Sequence, residues 1–213
     1  MSVSITTPSR IRRAREAGVA RRRLYPVTAL YSGYAVLMLG LALASERRLS
    51  ALGWFGLGVF AWTLVEYLVH RYVLHGRFPD GPGVWQHFLH THFDHLHWEH
   101  HERPWDGEHI NGTIRDTFRF VLPMVALSFL APPFTASMFV AGLIQSYVVE
   151  EWVHHSVHFY DFRGPYWRYI VRHHRFHHSP MGDKVGYGLT NGLWDVVFRT
   201  RIPAEVRRAL YAR

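Results

Sequence analysis

The amino-acid sequence predicts an all-α integral membrane protein in which two helical hairpins carry a histidine-rich helical cap. Three observations support this fold class: long uncharged apolar runs, an arginine-rich segment before the first run, and 17 histidines confined to residues 70–178. A length of 213 residues suits one domain, and the absence of cysteine excludes disulfides, iron–sulfur clusters and thiol catalysis. We therefore predict a basic cytosolic tail, 1–24, and a single membrane domain, 25–213.

The first predicted hairpin covers about residues 25–69. Residues 25–44 carry no charge, and a helix of this length crosses the ~30 Å hydrocarbon core of a bilayer. After the short polar turn SERRLS, residues 51–69 form a second apolar run whose one charge is Glu66. A signal peptide is disfavoured because the first run exceeds an h-region in length and no small-residue cleavage site follows it. The glycines of the second run, which permit close helix contact, are Gly53, Gly56 and Gly58.

The second predicted hairpin covers about residues 118–152. Pro132 and Pro133 divide its uncharged stretch into two segments, 120–131 and 134–149. The first segment is short for a full crossing, so it either tilts into the bilayer or the hairpin penetrates only partly. Two buried helices of a soluble protein are the alternative interpretation of this region.

Topology brings the histidines to one face of the membrane. If both hairpins enter and return, the cap consists of residues 70–117 and 153–200 and lies on the same side as both termini. Seven of the 24 basic residues lie between Arg10 and Arg23, where the positive-inside rule places cytoplasmic arginines, and only two lie in the SERRLS turn. We therefore predict a multi-pass protein with its termini and cap in the cytoplasm.

The net charge of +8 does not indicate nucleic acid as a partner, since no recognition motif accompanies it. The expected partners are membrane lipids and a lipid substrate, because the cap adjoins the bilayer.

Ten histidines form four clusters next to the apolar segments. Residues three and four apart share a helix face, so the last three clusters can each direct their imidazoles at one centre. The first pair is five residues apart, about 140° around a straight helix, and needs a helix end or a distortion between its members. Ten imidazoles exceed the coordination of one ion and indicate two. The clusters are His70 and His75; His97, His100 and His101; His154 and His158; and His174, His177 and His178.

These clusters and their hairpins resemble the fatty acid hydroxylase / sterol desaturase superfamily of membrane di-iron oxygenases, and especially its fatty acid (sphingolipid) 2-hydroxylase branch. The likeness covers roughly residues 64–198. The segments that carry it are EYLVHRYVLHG, HWEHHERPWDG, SYVVEEWVHHSVHF, RHHRFHH and GYGLTNGLWDVVF.

The resemblance implies that the ten histidines bind two iron ions, that O₂ is a co-substrate, and that the enzyme hydroxylates C2 of a free or lipid-bound fatty acyl chain. No catalytic residue beyond the metal ligands is expected. Imidazole also suits zinc, which the isolated protein could carry instead. His92 and His95 would replace members of the second cluster if its register is misjudged. The histidines left outside the ligand set are His87, His90, His92, His95, His109, His155 and His173.

Carboxylates near the clusters are candidates for orienting the rings by accepting their second N–H. A solvated or interfacial charge is an equally good explanation for Glu99 and Asp106, but an expensive one for Glu66 beside lipid. The other two candidates are Glu150 and Glu151.

Electrons are expected from a separate donor, a cytochrome b5-like protein or a ferredoxin, because no haem-binding cytochrome b5 domain precedes the first hairpin in this sequence. Alternatives within the superfamily are a carotenoid or sterol oxidase or hydroxylase. Outside it they are a membrane divalent-metal carrier or sensor and a histidine pH sensor. A carrier usually places its ligands inside spanning helices, and a pH sensor needs exposed imidazoles. Clusters beyond the helix ends therefore favour the enzyme.

Overall fold

The computed structural model describes residues 9–211, apart from the side chains of His92, Asp94, His95 and Leu96. Within these residues all regular secondary structure is helical, as predicted. Helix α1 (Arg10–Leu43) and helix α2 (Arg48–Leu68) form the first hairpin, and α2 continues into a π-helical turn, Val69–Leu74.

Among the described residues, α1 and α2 with its π-helical turn are long and apolar enough to cross a membrane, judged by length and composition. Only 28% and 17% of the residues in their most apolar windows are buried. The core helix of a soluble protein would be mostly buried, so these exposed apolar surfaces fit contact with lipid.

The second hairpin consists of α5 (Ile114–Ser128) and α6 (Ala136–Phe159), and the proline pair lies between them as predicted. Helix α5 has 15 residues, fewer than the ~20 that a perpendicular crossing needs. The two helices differ in exposure, because α6 is buried along most of its length and α5 has Ser128 as its one buried residue.

Helix α6 forms the centre of the bundle and packs along both α1 and α2. A Cβ atom on Gly58 would overlap the Phe139 carbonyl, and one on Gly142 would overlap the Phe55 carbonyl, so the α2 and α6 backbones touch. Small residues permit this approach, as predicted for Gly58. The buried side chains around this contact are Val27, Tyr31, Ala35, Met38, Ala42, Ala51, Met138, Val140, Ala141, Ile144 and Val148.

The cap is built from short helices outside the apolar bundle. Helix α7 (Pro165–His177) begins with a proline, whose fixed φ and missing N–H suit the first helical position. A second π-helical turn, His90–Asp94, leads into α4 (His95–Glu102). The cap helices are α3 (Val84–Leu89), α4 (His95–Glu102), α7 (Pro165–His177), α8 (Leu193–Val197) and α9 (Ala204–Tyr211).

The segment predicted as a basic tail, 1–24, is helical where it is described. Residues 10–24 are the first part of α1 and run without a break into its apolar part, whereas residues 1–8 lie outside the described residues. Ala17, Ala20 and Leu24 on one face of this segment are buried. The arginine-rich start of the chain is therefore packed against the rest of the protein.

Candidate metal centre

The ten histidines of the four clusters converge into two groups of five. Within each group, one ring nitrogen from every member lies within 4.8 Å of those of the other four. Group A consists of His70, His75, His97, His101 and His177, and group B consists of His100, His154, His158, His174 and His178.

The sequence clusters do not each form one site, which corrects the expectation that three imidazoles from one cluster share a centre. His97 and His101 of α4 belong to group A, whereas His100 between them belongs to group B. Successive residues point about 100° apart around a helix, so members four apart share a group and the residue between them faces elsewhere. The last cluster divides in the same way, with His177 in group A and its two neighbours in group B.

The two groups lie directly side by side. The rings of His101 in group A and His178 in group B stack with 4.2 Å between centroids and 19° between planes. Two ions held by the groups would therefore be close neighbours.

The π-helical turn brings His70 and His75 together. The His75 amide donates to the His70 carbonyl at 3.0 Å, a bond across five residues, and the ring centroids are 5.0 Å apart. A wider turn places residues five apart on one face. The predicted distortion between these two histidines is thus confirmed.

Backbone carbonyls fix the rings of two group A members. The Nδ1 atom of His70 donates to the Tyr187 carbonyl at 2.5 Å, and that of His177 donates to the Val185 carbonyl at 2.8 Å. Because a carbonyl can only accept, the proton lies on Nδ1 and the Nε2 lone pair is free. The Nε2 atoms of His75 and His177 are 2.8 Å apart. Those of His70, His97 and His101 are buried without a hydrogen-bond partner among the described residues.

Two buried carboxylates anchor the loop that supplies these carbonyls. Glu66 accepts from the Leu189 and Thr190 amides at 2.6 and 2.8 Å and from the Thr190 hydroxyl at 2.6 Å. Asp195 accepts from the Tyr187 and Gly188 amides, both at 3.0 Å. We call residues 185–190 the clamp loop.

Asp195 remains charged in this position. Burial alone raises the pKa of its carboxyl, but hydrogen bonds from His173 and Thr200 bring the pKa below its ordinary value. The Thr200 hydroxyl lies 2.7 Å from Asp195 and the His173 Nε2 atom lies 3.3 Å from it. A fully ionised carboxylate holds the clamp-loop amides more firmly than a neutral acid would.

Group B is held by helices. The Nε2 atom of His158 lies 3.3 Å from that of His154 and 2.8 Å from that of His174. The Nε2 atoms of His100 and His154 are 3.0 Å apart, as are those of His178 and His174. The Nδ1 atoms of His100, His174 and His178 are buried and have no hydrogen-bond partner among the described residues.

The cap keeps its imidazoles neutral. Burial lowers the pKa of His75 to about 3 and that of His177 to about 4, and it holds the pKa of His174 and His178 well below the ordinary value. Neighbouring imidazoles lower these pKa values further, because two adjacent rings cannot both carry charge at low cost. Neutral imidazole is the form that binds metals.

The donor set of each group fits a metal ion. Five neutral imidazole nitrogens face a common point in each group, and three Nε2 atoms of group A are buried with no protein partner among the described residues. Imidazole suits zinc, copper, iron and nickel. Each group could therefore hold one transition-metal ion.

Four carboxylates were expected to orient the rings by direct hydrogen bonds. Among the described residues, they bond to groups other than the ten histidines. Glu66 acts on the clamp loop, and Glu150 accepts from the Trp62 indole at 2.6 Å. Glu151 accepts from Asn111 at 2.7 Å, and Asp106 bonds to His109 at 3.0 Å. Backbone carbonyls perform the predicted role for two rings.

The remaining described histidines stay outside both groups, as the resemblance implied. His87 contacts Asp80, His90 bonds to the Phe78 carbonyl, and His109 contacts Glu99 and Asp106. The side chains of His92 and His95 lie outside the described residues.

Sequence reasoning missed Asp195 and the clamp-loop carbonyls. The signal available was the segment GYGLTNGLWD, whose glycines indicate special backbone geometry. Gly186 has a φ of 71°, a left-handed conformation that favours glycine, between the two residues whose carbonyls hold the rings.

Comparison with known proteins shows that the chain is similar to fatty acid hydroxylases. The family model described as fatty acid hydroxylase matches residues 55–200, which include all ten histidines of the two groups. A solved structure described as full-length scs7p, with only the hydroxylase domain visible, has a TM-score of 0.70 and 28% sequence identity. That likeness covers 84% of this chain and 67% of the other.

Curated relatives agree with this assignment. A fatty acid 2-hydroxylase of Rattus norvegicus is 32% identical over 160 residues, which cover 72% of this chain and 41% of the relative. The dihydroceramide fatty acyl 2-hydroxylase FAH2 of Arabidopsis thaliana is 33% identical over 144 residues, covering 67% of this chain and 58% of the relative. The chain thus spans about half the length of the curated relatives it matches. The family-model match, the fold and the paired histidine groups together show that this chain belongs to the fatty acid hydroxylase family.

Proposed function

We propose that this chain is an O₂-dependent di-iron hydroxylase of the membrane that adds a hydroxyl group to C2 of a free or lipid-bound fatty acyl chain. The observation that carries the proposal is the pair of adjacent five-histidine groups. The C2 position and the acyl substrate are proposed from the names of the relatives, fatty acid 2-hydroxylase and dihydroceramide fatty acyl 2-hydroxylase.

Iron bound by the two groups would supply the redox chemistry that activates O₂. The reaction balances when one oxygen atom enters the C–H bond and the other leaves as water, which consumes two electrons and two protons. A separate donor, either a cytochrome b5-like protein or a ferredoxin, supplies the electrons.

The protein's contribution is to present ten neutral nitrogens in fixed directions. The clamp loop holds the Nδ1 protons of His70 and His177, so their Nε2 atoms face group A. In group B, burial of His100, His158 and His174 excludes water that would compete for the ligand positions. His75 and His101 are half-buried, so the space beside group A is the more open side of the centre.

About four membrane helices in two hairpins, with the short α5 tilted or only partly inserted and the cap in the cytoplasm, are part of this proposal. Support comes from the exposed apolar side chains on the outer faces of α1, α2 and α5, among them Leu37, Phe60 and Leu127. The arginines at the start of α1 support the cytoplasmic side. An acyl chain in the same leaflet can then reach the cap without leaving the bilayer.

Lipid analysis tests the reaction. Cells that produce the full chain should accumulate fatty acyl chains heavier by one oxygen atom, with the hydroxyl group at C2 when the fragments are mapped. Cells that produce the H174A variant at equal abundance should not. Unchanged acyl chains would contradict the proposal, and oxygenated sterols or carotenoids would point to the related oxidases.

Metal analysis tests the centre independently of the substrate. The anaerobically purified chain should contain about two iron ions, with zinc as a replacement after aerobic isolation. A folded chain with no transition metal would contradict both the hydroxylase and a metal carrier. A metal-loaded chain that leaves lipids unchanged would favour the carrier.

A further inference from the structure

The arginine-rich start of α1 contacts the cap at its group B side. The Glu16 carboxylate accepts from the Gly107 amide at 3.1 Å, and a Cβ atom on Gly107 would overlap the Glu16 carbonyl. Ala17 and Ala20 pack against Ile110 and Phe159 in a small apolar core. The loop after α4 and the end of α6 therefore close onto this segment, which lies outside the residues that the family model matches.

Arg13 makes the polar part of this contact. Its guanidinium donates to Asp161 at 2.9 Å and to the carbonyl of His158 at 3.2 Å, and it lies 5.2 Å from the centroid of the Trp105 ring. The Trp105 ring lies edge-on to the His158 ring, with 6.0 Å between centroids. Only 18% of the Arg13 side chain is exposed.

The His158 carbonyl belongs to the last turn of α6, which ends at Phe159. Carbonyls of a last helical turn lack partners within their own helix, and a positive charge near them complements the helix dipole. Arg13 supplies both the hydrogen-bond donor and the positive charge to the carbonyl of His158, whose ring belongs to group B.

We propose that Arg13 is a positioning residue for group B: it fixes the last turn of α6 and so holds the His158 ring toward the group B metal. This inference rests on the proposed function, because it assumes that group B binds an ion. The role differs from that of the other arginines at the start of α1, whose expected effect is on membrane orientation.

The chain offers a matched control. Arg12 is the preceding residue, has the same charge and is exposed, so R12A removes a positive charge and leaves the Arg13 contacts in place. R13K keeps the charge of Arg13, but a single ammonium group cannot reproduce the fork of a guanidinium that bonds both Asp161 and the His158 carbonyl beside the Trp105 ring. R13K should therefore behave like R13A and unlike R12A.

The first measurement follows metal release. The full chain, loaded anaerobically with Fe²⁺ in detergent, is mixed with excess chelator and the ions are counted as they leave. In R13A and R13K one of the two ions should leave about tenfold faster, a size typical of residues that orient ligands. Both ions should leave R12A at the wild-type rate.

The second measurement needs no metal. Hydrogen exchange in the metal-free chain should speed up about tenfold in the peptide that ends α6 in R13A and R13K, and should stay unchanged in R12A. If the wild type retains no iron, the proposed function fails while this comparison still decides whether Arg13 holds the turn. Hydrogen exchange at the wild-type rate in R13A would show that Arg13 does not hold the last turn of α6. If exchange is faster but both ions leave at the wild-type rate, Arg13 does not act on group B.

Discussion

Groups A and B contain five histidines each, but different parts of the protein hold them. In group A, the rings of His70 and His177 are tied to carbonyls of the clamp loop, which Glu66 and Asp195 anchor. In group B the ligands come from the three helices α4, α6 and α7, and His178 follows the last residue of α7. We therefore expect loop hydrogen bonds to control metal affinity at group A and helix packing to control it at group B.

The largest expected effect is loss of a ligand. H70A should remove about one ion per chain from group A, and H174A about one from group B, since each leaves a buried ligand position empty. Either variant should lower hydroxylation by more than about a hundredfold, beyond the 10–100-fold typical of residues that only orient ligands. Metal content and acyl-chain analysis measure both effects. Loss of both ions from either variant would show that the groups are one cooperative site.

Replacing Asp195, one of the two anchors of the clamp loop, should affect metal binding at group A only. D195N removes the charge that holds the Tyr187 and Gly188 amides. It should weaken metal binding about 10- to 100-fold at group A and leave group B unchanged. Competitive chelator titration measures both affinities.

E150Q provides the control for D195N, because Glu150 is also a carboxylate within the protein but bonds to Trp62 and makes no hydrogen bond to the clamp loop among the described residues. It should bind both ions with wild-type affinity. Equal weakening at both groups in D195N would contradict separate support.

In the metal-free protein, acid should protonate His177 of group A first. The pKa of His177 is lowered to about 4 and that of His75 to about 3 by burial, whereas the pKa of His174 and His178 lies well below the ordinary value. An unfolded histidine has a pKa of about 6.5, so the unfolded chain binds more protons below that pH. Stability from the neutral rings is therefore complete above pH 6.5 and is lost as pH falls toward 4.

Thermal unfolding of the metal-free chain between pH 7.5 and 4 measures this loss, and NMR of labelled histidine rings identifies the group. The ring of His177 should titrate first among these histidines, near its lowered pKa. If the His174 ring titrated at a higher pH than the His177 ring, the expected order of protonation would be wrong.

The smallest effect is expected at Asp106. Its carboxylate bonds to His109 and Arg103 near the surface of the cap and touches neither group. D106N should leave both ions bound and change the free energy of unfolding by less than about 1 kcal/mol, as is usual for exposed ion pairs. A loss of metal in this variant would revive the direct role that the sequence indicated.

Much of this arrangement follows from residue spacing alone. Apolar runs without charge predicted α1 and α2, the proline pair predicted the break between α5 and α6, and the spacing of His70 and His75 predicted a distorted helix. These features depend on local geometry, which a sequence records.

Contacts between distant segments could not be predicted in the same way. The assignment of His100 and His101 to different groups depends on how α4 is rotated against α6 and α7. Likewise, the roles of Asp195 and Arg13 depend on backbone amides and carbonyls, which nearly every residue possesses. Their sequence positions alone do not distinguish Arg13 from the six other arginines near it.

Because adjacent residues of the chain belong to different groups, the backbone constrains the distance between group A and group B. His100 and His101 share one peptide bond, and His177 and His178 share another, yet each pair is divided between the groups. Two covalent bridges therefore cross from one side of the centre to the other. A rotation of α4 or α7 would therefore move ligands of both groups together, whereas a change in the clamp loop would act on group A alone.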